Sequence, residues 1–124
     1  MKKQMFVVDH GTYNFNILVC IEQEIQTIYD YIEKKAKYTL NDEEKEKLTM
    51  RGKGRTVMLE GGQTILQLNL KKSDCFQAYL AHEVFHAVEF LFERIGLKHD
   101  PEISSEAYAY QIAYITGSIY EKLK

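Results

Sequence analysis

The sequence predicts an α+β fold, a small antiparallel sheet with about three main helices, in one domain over residues 1–124. Three patterns carry that expectation. Two pairs of short apolar runs each flank a turn-forming segment, a stripe of isoleucines recurs at helical spacing in the first half, and two long helical segments fill the second. A chain of 124 residues can bury one core and has little area to spare for lids or accessory lobes.

Taking the elements in order, Met5 to Asp9 and Phe15 to Ile21 are apolar, β-branched runs on either side of His10-Gly11-Thr12-Tyr13-Asn14, which reads as a hairpin. Ile21, Ile25, Ile28, Ile32 and Ala36 then share one helical face, with glutamates and lysines on the others. Asn41 followed by Glu44 predicts a capped surface helix that Gly52 and Gly54 end. Thr56 to Glu60 and Gln63 to Leu70 flank Gly61-Gly62, a two-residue hairpin signal. In the second run Leu66, Leu68 and Leu70 alternate with Gln67 and Asn69, so one face is expected buried and the other wet.

Ser73-Asp74 opens the next helix, Asp74 and Gln77 matching a capping box, and Gly96 stops it. Two apolar stripes, one through Leu80, Val84, Ala87, Leu91 and Ile95 and one through Ala78, Ala81, Phe85 and Phe92, predict a helix buried on most of its circumference. The last helix is expected from Asp100-Pro101, proline being tolerated at the first helical position. Its Ala109, Ala113 and Gly117 form a ridge of small residues that would let another helix approach closely.

Composition narrows the function classes. A net charge of −2 gives no electrostatic footprint for nucleic acid. No run is apolar enough for a membrane span or a signal peptide, so a cytoplasmic location is expected. Two cysteines, Cys20 and Cys75, make no disulfide framework and read as small buried hydrophobes.

The chemistry is concentrated in His82-Glu83-Val84-Phe85-His86. Residues four apart lie on one helical face, so both imidazoles can reach a single tetrahedral metal without bending the backbone. Glu83 sits about 100° round from His82. It is badly placed to be a ligand with the two histidines, but it can reach a water on the metal and take its proton as general base. That is the physical content of the H-E-x-x-H pattern. The alternative, two core histidines bonded to carbonyls or carboxylates, would leave three polar residues interrupting an apolar helix.

A catalytic zinc usually takes three protein ligands and keeps one position open. Glu89, His99, Glu102 and Glu106 are the downstream candidates. Glu89 lies one turn past His86 and would have to reach back along its own helix, so a supporting or surface role suits it better. Glu106 shares a helical face with the Ala109–Ala113 ridge and is the expected third ligand. Glu102, one turn earlier, is the alternative, with a simple helix N-terminal acid as its bland reading. Tyr79, Tyr110 and His99 are candidate donors to a developing oxyanion, Tyr110 because it lies one turn after Glu106. Arg51-Gly52-Lys53-Gly54-Arg55 lacks a phosphate-loop pattern and reads as a solvated, flexible loop.

On His82-Glu83-Val84-Phe85-His86 and Glu106, twenty positions after His86, the chain resembles a gluzincin-type metallopeptidase of minimal size. It is similar to short zincin-like proteins of phages and to the ImmA/IrrE and SprT-like groups. The resemblance covers roughly residues 63–116, and it departs from the metzincin pattern, since Glu89 and Phe92 stand where that branch has glycine and histidine. It implies a zincin-like fold, one zinc (Zn2+), hydrolysis of a peptide or protein substrate, and a substrate held along an edge strand. Thr64 to Leu70, leading into the motif helix, is the strand expected to hold it. Two other classes stay open: a regulatory binding protein that keeps zinc and contacts a protein partner, and a zinc-stabilised domain without turnover. Glu83 argues against the last, because a structural site has no need of it.

Overall fold

The computed structural model describes residues 1–10, 13, 15–50, 52–98 and 100–124. Among them four strands form one sheet: β1 (Gln4–His10), β2 (Phe15–Ile21), β3 (Gly54–Met58) and β4 (Thr64–Leu68), in the order β1-β2-β4-β3. Both hairpins read from the sequence are present. β1 and β2 pair antiparallel from Gln4↔Ile21 to His10↔Phe15, and β3 and β4 from Gly54↔Leu68 to Met58↔Thr64. The second hairpin has a wider loop than Gly61-Gly62 suggests, because pairing stops at Met58 and Thr64.

The sheet is mixed, not antiparallel as expected. The two hairpins join through β2 and β4, which run parallel from Ile17↔Thr64 to Ile21↔Leu68. A parallel junction needs a crossover long enough to carry the chain back along the sheet. The helices between β2 and β3 supply it.

This order places β4 inside the sheet, and two expectations fall with it. A peptide cannot pair along Thr64 to Leu68, because β2 and β3 occupy both edges. Nor is its second face wet: Gln67 is only 2 % exposed, and its amide nitrogen donates to the Leu48 carbonyl at 2.9 Å. The free edge near the motif helix belongs to β3.

Each face of the sheet carries its own core. On one, Leu18, Cys20, Val57 and Ile65 pack with Ile28, Ile32, Leu40 and Leu48. Ile28, Ile32 and Leu48 come from α1 (Ile25–Asp30), the π-helical turn Tyr31–Lys35 that continues it, and α2 (Asp42–Leu48), and Leu40 from the segment that leads into α2. The single helix expected through Ala36 is shortened at both ends: Ile21 belongs to β2, and Ala36 and Ile25 are exposed. At α2 the predicted capping box is complete, Glu44 N donating to Asn41 Oδ1 at 2.7 Å and Asn41 N to Glu44 Oε1 at 3.1 Å. Neither glycine ends this helix; it stops at Leu48 with Thr49 extended, and Gly54 opens β3.

On the other face Ile17, Val19, Ile21, Leu66 and Leu68 pack under α3 (Phe76–Ile95) and α4 (Ser105–Lys122). α3 begins later than its capping box predicts. Asp74 accepts from Lys71 N and pairs with Lys53 instead, leaving Cys75 at the N-cap, exposed. Gly96 ends the helix at φ 79°, as expected for a left-handed stop. Burial on α3 is one-sided: Leu80, Val84, Ala87, Val88, Leu91 and Phe92 are buried, whereas Ala78, Ala81 and Phe85 are exposed.

α4 starts after a turn over residues 101–104, in which Asp100 Oδ1 accepts from Glu102 N and Ile103 N. It packs through Tyr108, Ile115 and Ile119. The small-residue ridge therefore faces outward: Ala109, Ala113 and Gly117 are exposed, and a Cβ at Gly117 would meet nothing. Of the cysteines only Cys20 is buried, both are free, and burial pushes the Cys20 thiol far up. No helix among the described residues is long and apolar enough to cross a membrane.

Candidate metal centre

Helix α3 seats Leu80, Val84, Ala87 and Leu91 on the sheet, so positions two residues either side of Val84 point away from it. His82 and His86 emerge there, with side chains 68 % and 43 % exposed. Their Nε2 atoms converge to 3.2 Å. Glu83, a quarter-turn or so back toward β3, is only 5 % exposed.

Two residues of the edge strand make the place for Glu83. The Thr56 hydroxyl donates to Glu83 Oε1 at 2.8 Å and also lies 3.2 Å from the Glu83 carbonyl, so its one proton can serve either oxygen. Gly54 supplies the space: a Cβ there would stand 2.7 Å from Glu83 Oε2. The second carboxylate oxygen is thereby left 4.0 Å from His82 Nε2, on the side of the histidine pair. A buried carboxylate is expensive unless hydrogen-bonded, and Thr56 provides that bond.

Along the edge of β3 run two adjoining hollows that share Gly54, His82 and Glu83. One, of about 350 Å³, continues past Thr56 to His86 and Phe90. The other, of about 300 Å³, continues to Lys53 and Tyr79. The Lys53 ammonium stands 5.7 Å from the Tyr79 ring centroid and bonds Asp74, whose hydrogen bond raises the lysine above its ordinary range. The same bond, from the other side, holds the Asp74 carboxyl below the usual range. A further hollow of about 260 Å³, between Leu18, Ile32 and Tyr38 on the opposite face, is lined by no acid, histidine or cysteine among the described residues. The histidine pair and Glu83 line the groove beside β3.

The structure thus brings His82, Glu83 and His86 together. Glu106, in the first turn of α4, and Glu102, in the turn before it, are both exposed, and Tyr110 is 71 % exposed on α4. Among the described residues no third histidine, cysteine, aspartate or glutamate joins the pair closely enough to hold a metal. The reason for favouring Glu106, a ridge at the helix contact, does not hold, so its candidacy rests on the resemblance. His99 and Arg51 lie outside the described residues. Glu89 Oε1 meets His86 Nδ1 at 2.8 Å, on the ring edge away from the His82 contact.

Sequence reading passed over Thr56, Gly54 and Lys53. The segment taken as a solvated loop ends in Gly54 and Arg55, which are the first residues of β3. The signal was present in Thr56-Val57, a β-branched pair, but nothing local announces that a strand lies against a helix 27 residues further on.

The spacing of the pair is compatible with two nitrogens on one zinc and equally with a hydrogen bond between the rings. Bonds of about 2.0–2.1 Å at tetrahedral angles put two ligand nitrogens roughly 3.3 Å apart, and Nε2 to Nε2 is 3.2 Å. Compared with models of known protein families, with curated proteins and with solved structures, the chain matches none.

Proposed function

We propose that the chain is a zinc-dependent metallohydrolase with a zincin-like fold, acting on peptide bonds. The observation that carries the reading is the convergence of His82 and His86 at 3.2 Å with a buried carboxylate, Glu83, beside them on the floor of an open groove. His82 and His86 would hold the metal, with Glu106 the proposed third ligand. Bound there, zinc would supply the Lewis acidity that makes a water nucleophilic near neutral pH. Glu83 would be the base that takes up a proton there and yields it to the leaving nitrogen. Thr56 holds one Glu83 oxygen, which leaves the other free for proton transfer.

A peptide would lie along β3, whose outer edge is unpaired by β4, and take main-chain hydrogen bonds from it. A cytoplasmic location belongs to the same proposal, supported by two free cysteines.

The test combines metal content with hydrolysis of an unfolded protein substrate. Wild type and Glu83→Gln should both carry one zinc, and the variant should lose about 10²–10⁴-fold in rate. His82→Ala and His86→Ala should lose the zinc. Zinc bound without hydrolysis in the wild type would favour a regulator that keeps the metal to bind a partner. Zinc retained without either histidine would end the metal reading.

A further inference from the structure

Two contacts on opposite edges of one imidazole ring fix more than its position. His86 Nδ1 meets Glu89 Oε1 at 2.8 Å, and His86 Nε2 meets His82 Nε2 at 3.2 Å. A carboxylate can only accept, so the proton of a neutral His86 belongs on Nδ1 and the lone pair on Nε2. We infer that Glu89 is a positioning residue that locks His86 as its Nδ1–H tautomer and so presents the Nε2 lone pair at the metal position. This rests on the zinc reading for its purpose, though not for its geometry.

The same constraint reaches His82. If His86 Nε2 accepts, the other partner in the 3.2 Å contact must donate, so metal-free His82 carries its proton on Nε2. The resting pair is then closed on itself by one hydrogen bond. Were zinc held through both Nε2 atoms, the His82 proton would have to sit on Nδ1 instead, with no net gain or loss of protons by the pair. His86 needs no such change. The two ligands are therefore unequal, one prepared and one that must rearrange.

On the α4 side of this contact the Tyr108 phenol is pushed up by burial and, after that, by the charge of the Glu89 carboxylate. Tyr108 packs on Phe92 with ring centroids 4.4 Å apart. Carboxylates in this relation to a ligating histidine are typically worth 10–100-fold in metal affinity.

Long-range ¹H–¹⁵N spectra of the metal-free protein near pH 8 read the tautomers directly. Expected are Nδ1–H for His86 and Nε2–H for His82, with both becoming Nδ1–H on addition of zinc. Competition titrations then compare zinc affinity in wild type, Glu89→Gln and Glu89→Ala. The alanine variant should bind about 10–100-fold more weakly. The glutamine variant, whose amide oxygen still accepts from Nδ1–H, should recover part of the loss. An Nε2–H tautomer for His86 in the metal-free wild type would overturn the inference whether or not zinc binds. So would an alanine variant with wild-type zinc affinity and an unchanged tautomer. A wild type that binds no zinc would overturn the metal reading, while the spectra would still decide what Glu89 does.

Discussion

Glu83 is where single atoms matter most. Its carboxylate is nearly excluded from water, and the hydroxyl of Thr56 is the donor that offsets part of that cost. Thr56→Val keeps the shape and removes the proton, leaving a buried charge without its partner. The expected loss is about 1.5–3 kcal/mol, the range for hydrogen bonds to charged groups, measured by urea unfolding; Thr56→Ser should lose far less. Equal stability for valine and serine would show that water, not Thr56, satisfies the carboxylate. Gly54→Ala probes the same spot from the other side. The new methyl would stand against Glu83 Oε2, so the carboxylate must move. Overpacking of this kind typically costs about 1–3 kcal/mol, and under the proposed function it should also lower hydrolysis without releasing zinc. A Gly54→Ala variant that matched the wild type in the proposed hydrolysis would mean that Glu83 has no fixed position to lose.

At the scale of elements, α2 and α4 show two different ways a helix is made secure. α2 is short and depends on its N-terminus. Glu44 closes the capping box and also accepts from the Tyr38 hydroxyl at 2.7 Å and from Glu60 N at 3.0 Å. Burial alone would raise its pKa, but the bonds from Tyr38, Glu60 and Asn41 outweigh it and hold Glu44 below its ordinary value of 4.5. A folded-state value that is depressed contributes stability above the ordinary value and loses it as pH falls through the folded one. Wild type should therefore lose more stability than Glu44→Gln between about pH 5 and about pH 3. Parallel acid curves for the two proteins would contradict this assignment. α4 is long and has a weak point on its solvent side, Gly117, where a methyl group would touch nothing. Gly117→Ala should raise stability by about 0.5–1 kcal/mol through helix propensity and a less flexible unfolded chain. A loss of stability there would mean that something does approach this face in solution.

For the whole molecule, the proposed metal links α3 to folding. A ligand that binds only the folded state at about 100 times its dissociation constant adds about 2.7 kcal/mol. Zinc should accordingly raise the melting temperature of the wild type and leave His86→Ala unmoved. A rise of the same size in that variant would place the metal elsewhere. Between the sheet and this site the architecture is economical: β4 is enclosed, β3 offers its outer edge, and α3 lies beside that edge with its histidines outward.

What the sequence determined by itself is local. The apolar, β-branched run Phe15 to Ile21 defines β2, Asn41 and Glu44 define a cap, Gly96 defines a stop, and His82 and His86 lie one turn apart on one helix with Glu83 beside His82. Each of these depends on residues within a few positions of one another, where backbone geometry is periodic and side-chain directions can be counted. The tertiary structure alone decided that two hairpins meet through a parallel pair, which made β4 internal and moved the open edge to β3. It alone set Thr56 and Gly54 against Glu83 and turned Ala109, Ala113 and Gly117 toward solvent. Those arrangements depend on which apolar faces are buried together across distant parts of the chain. Burial is non-directional, so the spacing that marks an apolar face carries no signature of which other face it will meet.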